Sequence, residues 1–475
     1  IKDATGVWGK GTKATEQALI SELKDEKVKV ASIGPAGENL VKFASIMNER
    51  ERAAGRCGLG AVMGSKKLKA IVVRGKKKPE VKDKDALKIV VKTISELVNE
   101  SPMAGVYREF GTPTGIDSMT GVGDVPIQNY SISRWKLMKN IGSNALFARG
   151  EVKKHACYAC PVACTGLVEH EGEWVRWPEY ETLAMLGSNL LVDDLDSIIR
   201  WNVLINDLGM DTISLGGVLA MFLDAVDSGD LPPNYAEYGF TPDRDIRVIY
   251  TTWGNIDAIE NFIKMIAYRK GIGNDLAEGV RVFCEKYDLP DKYKTHVKGL
   301  EVPAHEPRAN NMTALDYATT PRGAFHSYMP MHLSTSMNLK EEVGLTKMVN
   351  RFAKEEAVEA VKKIQDVSES YSACGGCIFG FDFINVITPW VDSLNAITGR
   401  SYTAESWAKV GADLMDLKRA FNVKAGQSKV DDKLNIKFLT VIPKGGTKKN
   451  VPPMEDMLKM YYELRGWDKK EPKLA

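Results

Sequence analysis

His155-Ala156-Cys157-Tyr158-Ala159-Cys160-Pro161-Val162-Ala163-Cys164 places three thiols within eight positions of a 475-residue chain that holds only seven cysteines. The spacing C-x2-C-x3-C lets one loop and the start of a helix turn several sulfurs toward a single soft metal centre. Zinc, the alternative for the same thiols, favours two paired C-x2-C knuckles. The x3 gap and the proline after the second cysteine point instead to an iron–sulfur cluster. A [4Fe–4S] cubane needs a fourth thiolate, which this loop does not contain. Cys57, Cys284, Cys374 and Cys377 remain as its donors. Cys284, beside Phe283 in a helical pattern, reads most simply as a buried small hydrophobe. Cys374 and Cys377 lie in Ser372-Ala373-Cys374-Gly375-Gly376-Cys377, whose glycines allow a close backbone approach to a cofactor.

The rest of the composition narrows the class. Seven cysteines are too few, and too odd in number, for a disulfide scaffold, and their clustering suits a reducing cytoplasm. A formal net charge of +2, with acids interspersed among the basic residues, argues against a nucleic-acid partner. No apolar run approaches the roughly 20 residues of a membrane span. Ile1-Lys2-Asp3 opens neither a basic nor an apolar leader. The content, 44% hydrophobic and 27% charged, is that of a globular chain long enough for two to four domains.

Outward from the cysteines, the two sides differ. Val28, Val30 and Ile33 fit one strand and Ala70-Ile71-Val72-Val73 another, with glycine-rich turns between them. A charged linker follows from Lys76 to Asp85. Beyond it the period becomes helical. Leu87, Val90, Val91, Ile94, Leu97 and Val98 share one face, capped near Asp85. Leu195, Ile198, Trp201, Ile205 and Leu208 share another, opened by Asp193 and Asp194 and stopped at Gly209. Ile259, Phe262, Ile263 and Ile266 continue the pattern, as do residues 355–364 and the stripe Trp407, Val410, Leu414, Leu417 and Phe421. Loops are expected at Pro232-Pro233 and across Pro303 to Pro307. The expectation is an α+β chain in which a β-rich part precedes two mainly helical parts.

Several further motifs, in order, resemble the aldehyde:ferredoxin oxidoreductase family of tungsten enzymes. They are Ile33-Gly34-Pro35-Ala36-Gly37-Glu38-Asn39, the stretch from Arg52 through Arg56-Cys57-Gly58-Leu59-Gly60 to Lys66, and Pro178-Glu179-Tyr180-Glu181-Thr182. They continue with Gly209-Met210-Asp211, Ala318-Thr319-Thr320-Pro321-Arg322-Gly323-Ala324-Phe325-His326 and Tyr461-Tyr462-Glu463-Leu464-Arg465-Gly466-Trp467. The resemblance implies a β-rich pterin-binding base over residues 1–80, of which a preceding N-terminal part is absent. It also implies helical domains over 81–300 and 301–475. Its cofactors would be a tungsten bis-pterin, Mg2+ bridging the pterin phosphates, and the cubane.

The resemblance also assigns roles. Asn206-Asp207-Leu208-Gly209-Met210-Asp211 matches the first pterin loop, with Asn206 in place of the usual aspartate, Gly209 ending the helix and Asp211 accepting from pterin N–H groups. Ser372 to Cys377 matches the second loop, with Gly375 at its glycine and Cys377 as the fourth cluster ligand beside Cys157, Cys160 and Cys164. Cys374 is then an extra thiol. Arg56, Gly58 and Lys66 would hold a pterin phosphate. Glu181 matches the glutamate near the metal and is the candidate general base, with Glu179 in reserve. His326, one of six histidines, matches the active-site histidine and would hydrogen-bond the substrate carbonyl or metal oxygen and relay a proton. His305 and His332 are alternatives to it, and His155 and His170 flank the cluster loop at its surface.

The function implied is oxidation of an aldehyde to its acid, with electrons leaving through the cubane to ferredoxin or an iron–sulfur subunit. The chain would form a homodimer or a hetero-oligomer. A benzoyl-CoA-reductase-type tungsten subunit is the alternative. It would be expected to carry a cysteine metal ligand near Pro178–Thr182, and no cysteine lies between Cys164 and Cys284.

Overall fold

The computed structural model describes residues 1–49, 52–231, 253–335 and 339–474. The turn expected at Pro232-Pro233 lies outside them. The chain is α+β. Its largest described sheet has four antiparallel strands, ordered β3-β2-β1-β4. Helix α1 (Thr12–Leu23) precedes β1 (Lys29–Ser32), which pairs with β2 (Ile46–Asn48) through Ala31 opposite Asn48. β1 also pairs with β4 (Ala70–Val73) from Lys29 opposite Val73 to Ser32 opposite Ala70. β3 (Arg52–Ala54) closes the edge. Short α2 (Pro35–Glu38) and α3 (Leu59–Ser65) cover the sheet end. Beneath them Lys69 and Glu38 form an ion pair at 2.5 Å with both side chains buried. Glu38 also accepts from Gly9 N, the extra satisfaction that a buried charge pair requires.

The exposed linker leads into α4 (Lys84–Glu100), capped by Asp83, whose carboxylate accepts from Asp85 N and Ala86 N. Only part of the expected stripe turns inward: Val98 is buried, but Val91 is 52% exposed. The reason is that α4 lies on the surface and packs along one side only, with Leu87, Val90, Ile94 and Leu97 half-buried. α5 (Pro102–Phe110) follows. A three-stranded meander, β5 (Val152–Lys154), β6 (Gly166–His170) and β7 (Glu173–Arg176), brackets the cysteine loop. It leads to α6 (Tyr180–Leu186), α7 (Leu195–Leu208) and α8 (Thr212–Asp227). α8 is apolar nearly all round and buried along its length, as a central helix must be. α9 (Ile256–Ala267) and α10 (Gly279–Lys286) complete this core, and Cys284 sits in it fully buried.

The core is continuous with the sheet end, since Ala36, Val41, Phe43 and Ala44 belong to it. The join is backbone to backbone. Gly209, left-handed at φ +76°, ends α7, and its carbonyl accepts from Ser45 N at 2.8 Å. Asp211 N donates to Phe43 O at 3.0 Å. A Cβ on Gly209 would stand 2.7 Å from Gly34 N. Gly209→Ala should therefore cost about 1–3 kcal/mol, read as a lowered denaturation midpoint.

The second core gathers α11 (Asn311–Thr319), α12 (Glu355–Ala373), α13 (Ile378–Asp382), α14 (Thr388–Thr398), α15 (Ala404–Lys424) and α16 (Met454–Arg465). On α15 the expected stripe is partly corrected. Trp407 is buried, but Leu417 and Phe421 are 55% and 63% exposed. The inward face instead carries Gly411, Met415 and Arg419, because α12 crosses close at Gly411.

Candidate active site

Cys157, Cys160 and Cys164 lie on the loop joining β5 to β6. The loop is shaped by left-handed Ala159 and Ala163 and by Cys160 N donating to Cys157 O. Arg108 on α5 anchors it, donating through Nε and Nη2 to Pro161 O at 3.2 and 3.0 Å. The opposite wall is the end of α12. There the chain turns through left-handed Gly375, whose absent side chain would meet open space, to Cys377 ahead of α13. Aromatic packing brings the two walls together: Tyr107 on α5 lies 5.3 Å from Phe379 and 4.7 Å from Phe383. Cys160 and Cys164 border this same apolar cluster.

All seven cysteines are free thiols. Burial pushes the Cys164 thiol up, and the charges of Glu179, Cys377 and Cys160 push it further. Burial also raises Cys377. The nearby backbone N–H groups of Phe379 and Gly380 oppose the rise, while Cys160 and Cys157 add to it. Four sulfurs that repel one another as thiolates are a donor set suited to a cation-rich cluster. Cys374 is exposed on the preceding turn.

The second centre is built around Glu181 at the start of α6. Glu179, one position ahead of the helix, does not cap it; its carboxylate accepts from Thr112 Oγ1, which in turn accepts from Tyr180 N. Glu181 Oε2 accepts from Ala304 N at 2.9 Å. Its Oε1 is buried with no hydrogen-bond partner among the described residues. It faces His326 Nε2 at 3.3 Å and His305 Nε2 at 3.9 Å.

The segment opposite Glu181 is fixed by three hydroxyls. Tyr130 donates to Val302 O and Pro303 O, Tyr180 to Ala304 O, and Tyr317 to His305 O. Burial raises the Glu181 carboxyl, against the pull of His305, Ala304 N–H and Arg56. Burial, with the charges of His305 and Arg56, holds His326 well below the usual histidine range. Burial also disfavours a charged His305, but the Asp124 carboxylate, which hydrogen-bonds it, and Glu181 together leave this histidine raised.

The other candidate residues surround these centres. Arg56 reaches across from the base: Nε donates to Asp211, Nη1 to Ala324 O at 2.7 Å and Nη2 to Glu301 O at 2.6 Å. Two of its five N–H groups are left for a further acceptor. Asp211 caps α8 through Ile213 N and Ser214 N. Gly58 is the left-handed residue before α3. Asn206 O accepts from Thr12 Oγ1, and Asp207 accepts from Lys13 N.

His332 is not part of the Glu181 group; it pairs with Asp382 at 2.5 Å, and both are buried. His170, expected at the surface, has its side chain only 11% exposed on β6, because it lines a separate cleft of 780 Å3 between α1, β7 and α7. Asp124 escapes sequence reading altogether. It follows Gly121-Val122-Gly123, which signals only a turn, and its partner lies 181 residues away.

A chain that gathers thiols at one end of a buried carboxylate–histidine centre has the layout of an oxidoreductase, not of a small electron carrier. Residues 1–75 match the N-terminal domain of aldehyde ferredoxin oxidoreductase and residues 89–473 match its domains 2 and 3. The chain belongs to the aldehyde ferredoxin oxidoreductase family.

It is 37% identical to the tungsten-containing aldehyde ferredoxin oxidoreductase of Thermococcus kodakarensis, over 98% of this chain and 75% of that one. It is equally identical to that of Pyrococcus furiosus, over 100% and 76%. The WOR-like subunit of an aliphatic sulfonate oxidoreductase from Pyrococcus furiosus is 30% identical over 98% and 74%. Among solved structures, the active-site complex BamBC of benzoyl coenzyme A reductase shares the fold. Its TM-score is 0.77 at 21% identity, over 98% of this chain and 75% of that one. No described helix is long and apolar enough to cross a membrane.

Proposed function

We propose that this chain oxidises an aldehyde and water to a carboxylic acid, releasing two protons and delivering two electrons, one at a time, to ferredoxin or another iron–sulfur protein. The observation that carries the reading is Glu181 Oε1, buried and without a hydrogen-bond partner 3.3 Å from His326, in a chain of this family. The residues fit the family's cofactors. Free thiols from two walls would hold the [4Fe–4S] cluster: Cys157, Cys160, Cys164 and Cys377. The Gly209–Asp211 turn, Gly58, Gly375 and the remaining donors of Arg56 would border the pterins.

When bound, the tungsten bis-pterin supplies a two-electron acceptor and the cubane a one-electron store. The protein's own part is proton chemistry. Glu181 takes a proton from water or the aldehyde hydrate, and neutral His326 donates to the oxygen of the substrate. In this reading the base over residues 1–80 supports two helical units, 81–300 and 301–475, that bring Glu181 and His326 face to face. Seven free thiols suit a reducing cytoplasm, and relatives named as subunits or complexes support an assembled form.

Metal analysis of the purified protein should find about four iron atoms and about one tungsten per chain. Aldehydes should reduce a viologen dye. Zinc without tungsten would sink the proposal, and dye turnover with benzoyl-CoA-type substrates alone would transfer it to the reductase class.

A further inference from the structure

His305 is clamped on both sides. Its Nδ1 donates to Asp124 Oδ2 at 2.5 Å, and Asp124 O accepts from Glu306 N at 2.7 Å, so one residue holds both this ring and the backbone beside it. The ring stacks on Tyr180 with centroids 5.1 Å apart and stands 5.0 Å from the His326 ring. His305 is 2% exposed and Asp124 6%. With Nδ1 committed to Asp124, Nε2 is directed at Glu181 Oε1, 3.9 Å away.

A buried carboxylate with one oxygen unpartnered is driven toward its neutral acid, and a neutral acid is no base. Something nearby must carry compensating positive charge. The titratable groups facing His305 are Asp124 from the loop before Val125, Tyr180 and Glu181 from α6, Tyr317 from α11, and His326. Behind Glu181 stand Arg56 and Asp211, which bind each other. His326 is held neutral by burial and by the neighbouring positive charges. Only His305 has a carboxylate of its own to make it a cation.

We propose that Asp124 and His305 are a positioning pair that presents a positive Nε2 to Glu181 and keeps the carboxylate ionised and aimed into the reaction centre. The inference rests on the assignment of Glu181 as base and deepens it. Asp124⁻, His305⁺ and Glu181⁻ then alternate in sign along one line, with neutral His326 at its end. In Asp124→Asn the imidazolium is lost, and in His305→Gln the cation is removed outright.

Both variants keep side-chain volume and should retain iron and tungsten at wild-type levels. Each should move the acid limb of the kcat–pH profile upward by about one unit or more, with little change in KM. The double variant should shift no further than either single one.

A second readout needs no turnover. A histidine whose folded value is raised above 6.5 stabilises the fold fully below that pH, and the stabilisation is lost as pH rises through the folded value. The Tm gap between wild type and Asp124→Asn should therefore be widest below pH 6.5 and shrink on the alkaline side. A gap independent of pH, or an unmoved acid limb, overturns the proposal. If the wild-type enzyme oxidises no aldehyde, the functional reading fails, while the melting comparison still decides the charge pairing.

Discussion

Glu181→Gln is expected to lower aldehyde oxidation by about 10²–10⁴-fold or more while iron and tungsten contents stay at wild-type levels. The amide oxygen can still accept from Ala304 N, as Glu181 Oε2 does at 2.9 Å, so the start of α6 keeps its anchor. What disappears is the capacity of the free oxygen to take a proton. Oε1 has no hydrogen-bond partner among the described residues and only faces His326 and His305, so a fall in rate with both metals retained is attributable to chemistry. The wild-type rate should itself decline in acid at a pH above the ordinary 4.5, since burial raises this carboxyl and only the ionised form is a base. Near-normal turnover in the glutamine variant would refute the assignment of Glu181 as base.

Cys377→Ala should abolish electron delivery to an external acceptor and lower bound iron toward zero, whereas Cys374→Ala should leave about four iron atoms per chain. The two cysteines are three positions apart and both are exposed; what distinguishes Cys377 is its place ahead of α13 and the neighbouring Cys160 and Cys157. The Cys377 thiol is raised by burial and by the charges of Cys160 and Cys157, with the backbone N–H groups of Phe379 and Gly380 opposing the rise. Cys374 ends α12 on the exposed preceding turn. The visible charge-transfer absorption of the cluster provides a direct measurement. Iron retained in Cys377→Ala and lost in Cys374→Ala would exchange the two roles.

Much of this was legible along the chain, where local chemistry decides structure. The strand at Ala70–Val73, the helix stop at Gly209 and the buried Cys284 follow from period, handedness and volume alone. Helix faces were less legible. The stripe on α15 was misread at Leu417 and Phe421 because the close crossing at Gly411, not apolar spacing, sets which side faces in. The candidate base and His326 came from ordered motifs. Their setting did not, because it is made of long-range contacts. Asp124 meets His305 across the whole helical region. Tyr130 reaches Val302 by folding, and its sequence neighbourhood says nothing of it. Arg56, expected to hold a pterin phosphate, also ties the base to Glu301 and Ala324, contacts its glycine-rich turn does not announce.

The aromatic seam of Tyr107, Phe379 and Phe383 has a consequence for durability. It belongs to the apolar cluster, with Val162 of the cysteine loop and Ile384, that packs the two cysteine walls together before a cluster is inserted. Once bound by Cys164 and Cys377, the cluster closes a loop of roughly 200 residues, and closing so long a loop removes a large share of the unfolded chain's freedom. Oxygen attacking the exposed Cys157 edge would thus do more than cut the route by which electrons leave. It would unfasten a staple, and loss of current should be followed by loss of the fold.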